Sequence, residues 1–264
     1  MQKSVLSREK TVIRDTINAK AVPVGFPVKW VCVDIPSIEY KHGWELQLAL
    51  VEARRAGISS RDIILLLEHL PVFTVGRRGG RDHLLVSESF LQRQGIPLYH
   101  VERGGDITYH GPGQLVGYPI VNLRANGWRV VDFVEALEEI MIRTVGDWGI
   151  PAQRNPINRG VWVGMFKIGS VGIAVRRGIS FHGFALNVNT YLKPLEWIHP
   201  CGLQETKMTS MWQLLGTEIS MEAVRGAVGH HIGEIFGVQL EYVDLEYIDH
   251  YLGPDLGTQC QEAR

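Results

Sequence analysis

Residues 103–120, RGGDITYHGPGQLVGYPI, place five glycines and two prolines beside an arginine, two tyrosines and a histidine. Glycine lets main-chain N–H groups approach a ligand closely, whereas a simple corner needs only one or two such residues. A phosphate cradle of the P-loop kind requires GxxxxGK[ST], and this stretch contains no lysine. A dinucleotide fingerprint must open a helix whose N-terminus binds pyrophosphate. Here Gly111-Pro112-Gly113-Gln114-Leu115-Val116-Gly117 runs instead into LVGYPIV, which reads as a strand. A wide hairpin loop and a substrate-binding loop remain, and Tyr109 and His110 beside Gly-Pro-Gly favour the second.

The nucleophile candidates are three cysteines. Cys32 lies in an apolar run and reads as an inert buried thiol; Cys260 lies in a polar tail. Cys201 stands between Pro200 and Gly202 in HPCGL, a turn able to hold a side chain away from regular structure. A thiol attacks as its thiolate, so a reactive Cys201 needs a neighbour that lowers its pKa, whereas an incidental one needs none. His110, His182, His199 and Lys167 are the candidate activators. Lys167 in GMFKIGSVG is a single cation within an otherwise apolar, β-rich run. It reads either as a snorkelling edge-strand lysine or as a partly desolvated partner for the thiol.

The elements that must position these residues follow from periodicity. VKWVCVDI (28–35) predicts a strand, and IEYKHGWELQLALVEARRAG a helix ending at Gly57. DIILLLEH (62–69) predicts a strand buried on both faces. VFTVGRRGG predicts a strand ending in a glycine loop, FLQRQG (90–95) a short helix, and PLYHVER and LVGYPIVNL strands on either side of the glycine-rich stretch. Phe133, Leu137, Ile140, Met141, Val145 and Trp148 trace one face of a long helix. Residues 160–189 predict a meander of three strands separated at KIGS and RRG. SMEAVRGAVGHHIGEIFG predicts a helix stopped by Gly237, and VQLEYV a last strand. Adjacent strands with interspersed helices indicate an α+β fold with a mixed sheet.

Composition narrows the function classes. The 264 residues carry a net charge of −1, which argues against nucleic acid as a partner. No apolar run approaches the roughly 18 residues of a membrane span. The cysteines are odd in number, widely separated and in no CxxC pair. That argues against a disulfide framework or a structural zinc site and fits reduced thiols in a cytoplasmic protein. The expected organisation is an extension at residues 1–28, one catalytic domain at 29–250 and a tail at 251–264.

Taken together, RGGDITYHGPGQLVGYPI, KIGSVGIAVRRGISFHGFALNV and PCGL…TSMWQLLG resemble the lipoyl(octanoyl) transferases of the LipB type over about residues 30–243. The resemblance implies a biotin/lipoate ligase-like α+β domain with a mixed, largely antiparallel sheet packed with helices. It implies no metal and no cofactor. The donor it implies is octanoyl-acyl carrier protein. The implied acceptors are the lipoyl domains of 2-oxoacid dehydrogenase E2 subunits and the glycine cleavage H protein, and a monomer is expected. Cys201 matches the family's thioester-forming nucleophile. Lys167 matches the lysine that lowers the thiol pKa and shuttles protons. The matching acyl-binding positions are Arg103, Gly104, Gly105, Asp106, Ile107, Thr108, Tyr109 and His110, then Ser170, Val171 and Gly172, and finally Gly183, Phe184 and Ala185. The oxyanion is expected near Cys201 and a Val171–Gly172 turn. An ATP-dependent lipoate or biotin ligase on the same fold is the alternative, and a binding module without turnover a third reading.

Overall fold

The computed structural model describes residues 28–80, 83–156, 158–199, 207–248 and 252. Residues 1–27 and 253–264, most of the expected extension and tail, lie outside the described residues, as do Cys201 and Cys260. A nine-stranded mixed sheet forms the centre. Strand β1 (Val28–Ile38) pairs in parallel with β2 (Ile63–His69) on one side and with β12 (Val238–Val243) on the other. Beyond β2 the pairing turns antiparallel through β6 (Gln114–Ile120), β10 (Ile179–Asn187), β9 (Phe166–Arg176), β8 (Val161–Val163) and β7 (Gln153–Arg154). The short β11 (Lys207–Met208) adds in parallel to the start of β9.

Side-chain alternation divides the core into two layers. Trp30, Cys32, Ile64, Leu66, Leu115, Phe184 and Leu186 face helices α3 (Val130–Gly146) and α5 (Met221–Phe236). Val31, Val33, Ile63, Leu65, Val116 and Ala185 face α1 (Tyr40–Arg55) on the opposite side. The expected apolar face of α3 is buried from Phe133 to Val145, with Trp148 packed partly buried beside it. The side chain of Ser220 caps the start of α5, and Gly237, at φ +66°, ends it. No helix among the described residues is long and apolar enough to cross a membrane.

A second, three-stranded sheet joins β3 (Val72–Val75) to β4 (Leu98–His100) in parallel and to β5 (Ile107–His110) in antiparallel fashion. It closes a smaller apolar cluster with α2 (Glu88–Arg93) and the short 3-10 helix Lys193–Trp197. The glycine-rich stretch is therefore not one loop. Its first half becomes β5 of the small sheet and its second half β6 of the large one. The meander forms with a different break: β8 and β9 meet at Gly164-Met165, and KIGS lies inside β9. Val171 and Gly172 are likewise mid-strand residues, not a turn.

The antiparallel centre depends on close main-chain approach. A Cβ at Gly183 would fall against the carbonyl oxygen of Gly117 and reach Pro119 Cδ at 2.7 Å. Backbone cannot yield as a flexible side-chain tip can, so the site accepts only glycine. Gly183→Ala is expected to destabilise the fold by about 1–3 kcal/mol, read from urea unfolding at neutral pH.

Candidate active site

A cleft of about 660 Å³ opens where the two sheets meet. The three segments singled out in the sequence converge there through backbone register. Ser170, Val171 and Gly172 on β9 stand directly opposite Ala185, Phe184 and Gly183 on β10. The Arg103–Asp106 segment then crosses β9: the Gly104 N–H donates to the Ile173 carbonyl over 2.8 Å. A Cβ at Gly172 would lie 2.9 Å from the Gly104 oxygen. The N–H groups of Gly76, Arg77 and Arg78 hold the same segment from its other side, donating to the carbonyls of Asp106, Arg103 and Gly105. Arg103, Gly104, Gly105, Asp106, Ile107, Thr108 and His110 line the cleft with Ser170–Gly172 and Gly183–Ala185.

Tyr109 points the other way and packs against Phe73, with ring centroids 5.2 Å apart, in the small cluster. The Gly-Pro-Gly turn also lies off the cleft. Gly113, at φ +77°, donates its N–H to Glu68 Oε2 at 2.7 Å and accepts from Val188, Asn189 and Thr190. Glu68 is itself paired with Arg225 of α5 at 3.0 Å. That half of the signature ties β6 to the rest of the fold, and the Arg103–Thr108 half forms cleft wall.

Lys167 lines the cleft and is 3% exposed, so it is no snorkelling edge residue. Its Nζ donates to Asn158 Oδ1 at 3.3 Å and lies 5.5 Å from the centre of the Trp162 ring. Lys167 pairs with Met208 of β11, so chain that leaves Cys201 re-enters the sheet beside it six residues later. Before Cys201, the His199 N–H donates to the His83 carbonyl. Burial pushes the Cys32 thiol up to about 12, which removes it as a nucleophile at neutral pH.

The far wall is a buried polar cluster. His69 Nδ1 faces the Ile38 carbonyl and so carries the proton, leaving Nε2 to accept from the Tyr118 hydroxyl at 2.8 Å. Gln114 donates to the Tyr109 carbonyl and Asn187 Oδ1, so its own oxygen accepts from His110 Nδ1 at 2.7 Å. Asn187 donates to the Thr209 carbonyl, and the Thr209 N–H donates to the Lys167 carbonyl. One hydrogen-bonded chain thus runs from His110 to the backbone of Lys167. The Tyr40 ring stacks on His110, and Arg103 donates to Thr74 and to the Gly104 carbonyl.

The family of lipoyl protein ligase A/B catalytic domains matches residues 39–233. An octanoyltransferase of Desulfotalea psychrophila is 47% identical over 207 residues, covering 78% of this chain and 93% of its own. One of Syntrophobacter fumaroxidans is 47% identical over 204 residues, covering 77% and 89%. The chain belongs to the octanoyltransferase family. Its fold is that of the lipoate ligases. A lipoate-protein ligase A bound with ATP aligns with a TM-score of 0.64 at 15% identity, over 89% of this chain and 93% of its own. The bipartite lipoate protein ligase of Thermoplasma acidophilum aligns with a TM-score of 0.64 at 16% identity, over 90% and 92%.

Sequence reasoning missed several residues around the octanoyltransferase cleft. Tyr40 and Tyr118 were read only as members of a helix and a strand, and both line it. Glu138 of α3 is buried, and its Oε1 accepts from the Gly160 N–H at 2.7 Å, fixing the segment beside Lys167. A carboxylate between the apolar positions Leu137 and Met141 of α3 was the available signal. Asn158 carried none.

Burial sets the charge state of the far wall. It lowers His110 to about 3, with His69 adding to the effect, and lowers His69 to about 4; His182 is lowered by burial as well. Each titrates near 6.5 when unfolded, so between these values the unfolded chain binds more protons. Stability therefore rises with pH across that window, is fully present above about 6.5, and falls on acidification. The slope from His110 and His69 should approach about 1.4 kcal/mol per pH unit for each group. Urea unfolding between pH 7 and pH 5 measures it, and His110→Gln should remove one group's share.

Proposed function

We propose that this acyltransferase carries an octanoyl group from octanoyl-acyl carrier protein, through a thioester on Cys201, to a lysine ε-amine of a lipoyl domain. The observation that carries the reading is Lys167. It is a buried lysine on the cleft wall, beside the short strand into which the chain from Cys201 leads.

In the first step Lys167, as its neutral amine, takes the proton of the Cys201 thiol, and the thiolate adds to the donor's thioester carbonyl. The bond to the carrier's sulfur breaks, and Lys167 passes the proton to that sulfur as it leaves, which returns the lysine to its neutral form. Exchange of one thioester for another is nearly isoenergetic and needs no ATP. In the second step the acceptor's ammonium loses a proton to Lys167. The amine adds to the acyl-enzyme carbonyl, the bond to the Cys201 sulfur breaks, the second nitrogen proton passes to that sulfur, and an amide forms. Apolar wall from Val171, Ile173 and Phe184 suits an octanoyl chain, each buried methylene contributing about 0.8 kcal/mol. Arg103–His110, Ser170–Gly172 and Gly183–Ala185 are the proposed binding segments, and Tyr109 supports them from the small cluster. The acceptors are lipoyl domains of 2-oxoacid dehydrogenase E2 subunits and the glycine cleavage H protein. The enzyme would act as a monomer in the reducing cytoplasm.

Incubation with octanoyl-carrier protein should add about 126 Da, the mass of an acyl group replacing a proton, to the intact chain. The adduct should map to Cys201 and disappear when a lipoyl domain is added. Cys201→Ala should give no adduct and no transfer. Lys167→Ala should slow transfer by roughly 100-fold or more and move the pH dependence of Cys201 alkylation upward. Formation of an acyl-adenylate from ATP with no thiol adduct would instead establish the ligase reading.

A further inference from the structure

The space that holds the Lys167 Nζ is built by a segment with no other evident duty. Asn158 is 9% exposed and borders the cleft. Its backbone is pinned on both sides. The N–H donates to Asn155 Oδ1 at 3.1 Å, and the carbonyl accepts from Trp162 Nε1 at 3.1 Å. Two residues on, the Gly160 N–H is held by Glu138, and Arg159 reaches the same carboxylate at 3.2 Å. Gly160, at φ +126°, lies so close that a Cβ there would stand 2.6 Å from Lys167 Cε. The lysine is thus confined between the segment and the Trp162 ring, which already approaches it at cation–π range.

The orientation of the Asn158 carboxamide is dictated by its neighbour. An ammonium only donates, so the carboxamide must turn Oδ1 toward it. That leaves the Asn158 Nδ2 buried with no hydrogen-bond partner. A buried donor without a partner is unfavourable, and an apolar side chain of similar size would avoid it. A carboxylate would bind the ammonium more tightly but would keep its proton. A neutral acceptor lies between these extremes.

We propose that Asn158 is a positioning residue that holds Lys167 in the cleft while leaving its proton free to transfer. The inference rests on the reading of Lys167 as the proton carrier. Other charged or titratable groups face the same space. Arg159 and Glu138 stand on the loop and α3 side, and Lys207 of β11 is exposed to solvent. Arg78, Arg103, Asp106, His83, His110, His182 and the hydroxyls of Tyr40 and Tyr118 lie around the cleft. All are retained in the variants below, so a displaced pH profile reports the change at residue 158.

The full chain carrying Asn158→Asp, Asn158→Leu or Lys167→Ala is assayed for octanoyl transfer from carrier protein to a lipoyl domain between pH 5.5 and 9, alongside thermal unfolding. A carboxylate stabilises the proton on Lys167 and on the thiol, so Asn158→Asp should move the profile up by about half to one pH unit. Loss of the acceptor disfavours the ammonium, so Asn158→Leu should move the limb governed by Lys167 down by a similar amount. Both should lower kcat at pH 7 by about tenfold and leave KM within about twofold. Equal loss of activity at every pH, tracking a lower unfolding temperature, would reduce Asn158 to a packing residue and overturn the inference. If Lys167→Ala abolishes transfer while both Asn158 variants keep the parent profile, the inference alone fails. If Lys167→Ala transfers normally, the reading of Lys167 fails and the inference with it.

Discussion

The cleft depends on main chain packed against main chain. Gly172 faces Gly183 across β9 and β10, Gly183 lies over the Gly117 carbonyl, and Gly104 crosses β9 with its carbonyl against Gly172. Only residues without a side chain let neighbouring strands and the crossing segment approach this closely. The crossing of β9 by the Gly104 segment joins the small sheet to the large one. It also orders the side chains between these glycines. Alternation sends Phe184 to the α3 side of the sheet and Ala185 to the α1 side.

On this scaffold the two ends of the cleft have different electrical character. The far wall holds three imidazoles whose burial disfavours their charged forms; the Tyr118 hydroxyl meets His69 and the Gln114 amide meets His110. The near wall holds Lys167, buried against an amide oxygen and an indole face. A hydrogen-bonded chain through Gln114, Asn187 and Thr209 links the two and fixes the backbone of β9 at the lysine. The chain belongs to the octanoyltransferase family, whose activity is acyl transfer.

Legibility differed with the range of the interaction that shaped each part. The strands β1 and β2 and the helix α3 could be read from sequence because each buries a face whose period is local. The short β5 could not, because Ile107–His110 is held by pairing with distant β3 within a glycine-rich run. KIGS was read as a break because its glycine suggested a turn. Gly169 is in fact a strand residue whose Cβ would strike Met141 Sδ at 2.7 Å. Tyr109 looked like a partner of His110, yet adjacent strand residues point to opposite faces. Glu138 and Asn158 act through residues 22 and 9 positions away, beyond any periodic signal.

The sequence by itself determined which residues are unusual: a glycine-rich block, a cation in an apolar run and a cysteine between proline and glycine. It also determined most of the helices and longer strands, since their hydrophobic pattern is written locally in each element. Only the tertiary structure decided which half of the glycine block faces the cleft and which half anchors β6. It alone set Ser170–Gly172 opposite Gly183–Ala185 and enclosed Lys167 with Asn158 and Trp162 as neighbours. Those outcomes arise from strand register and burial, which depend on contacts between segments far apart in the chain.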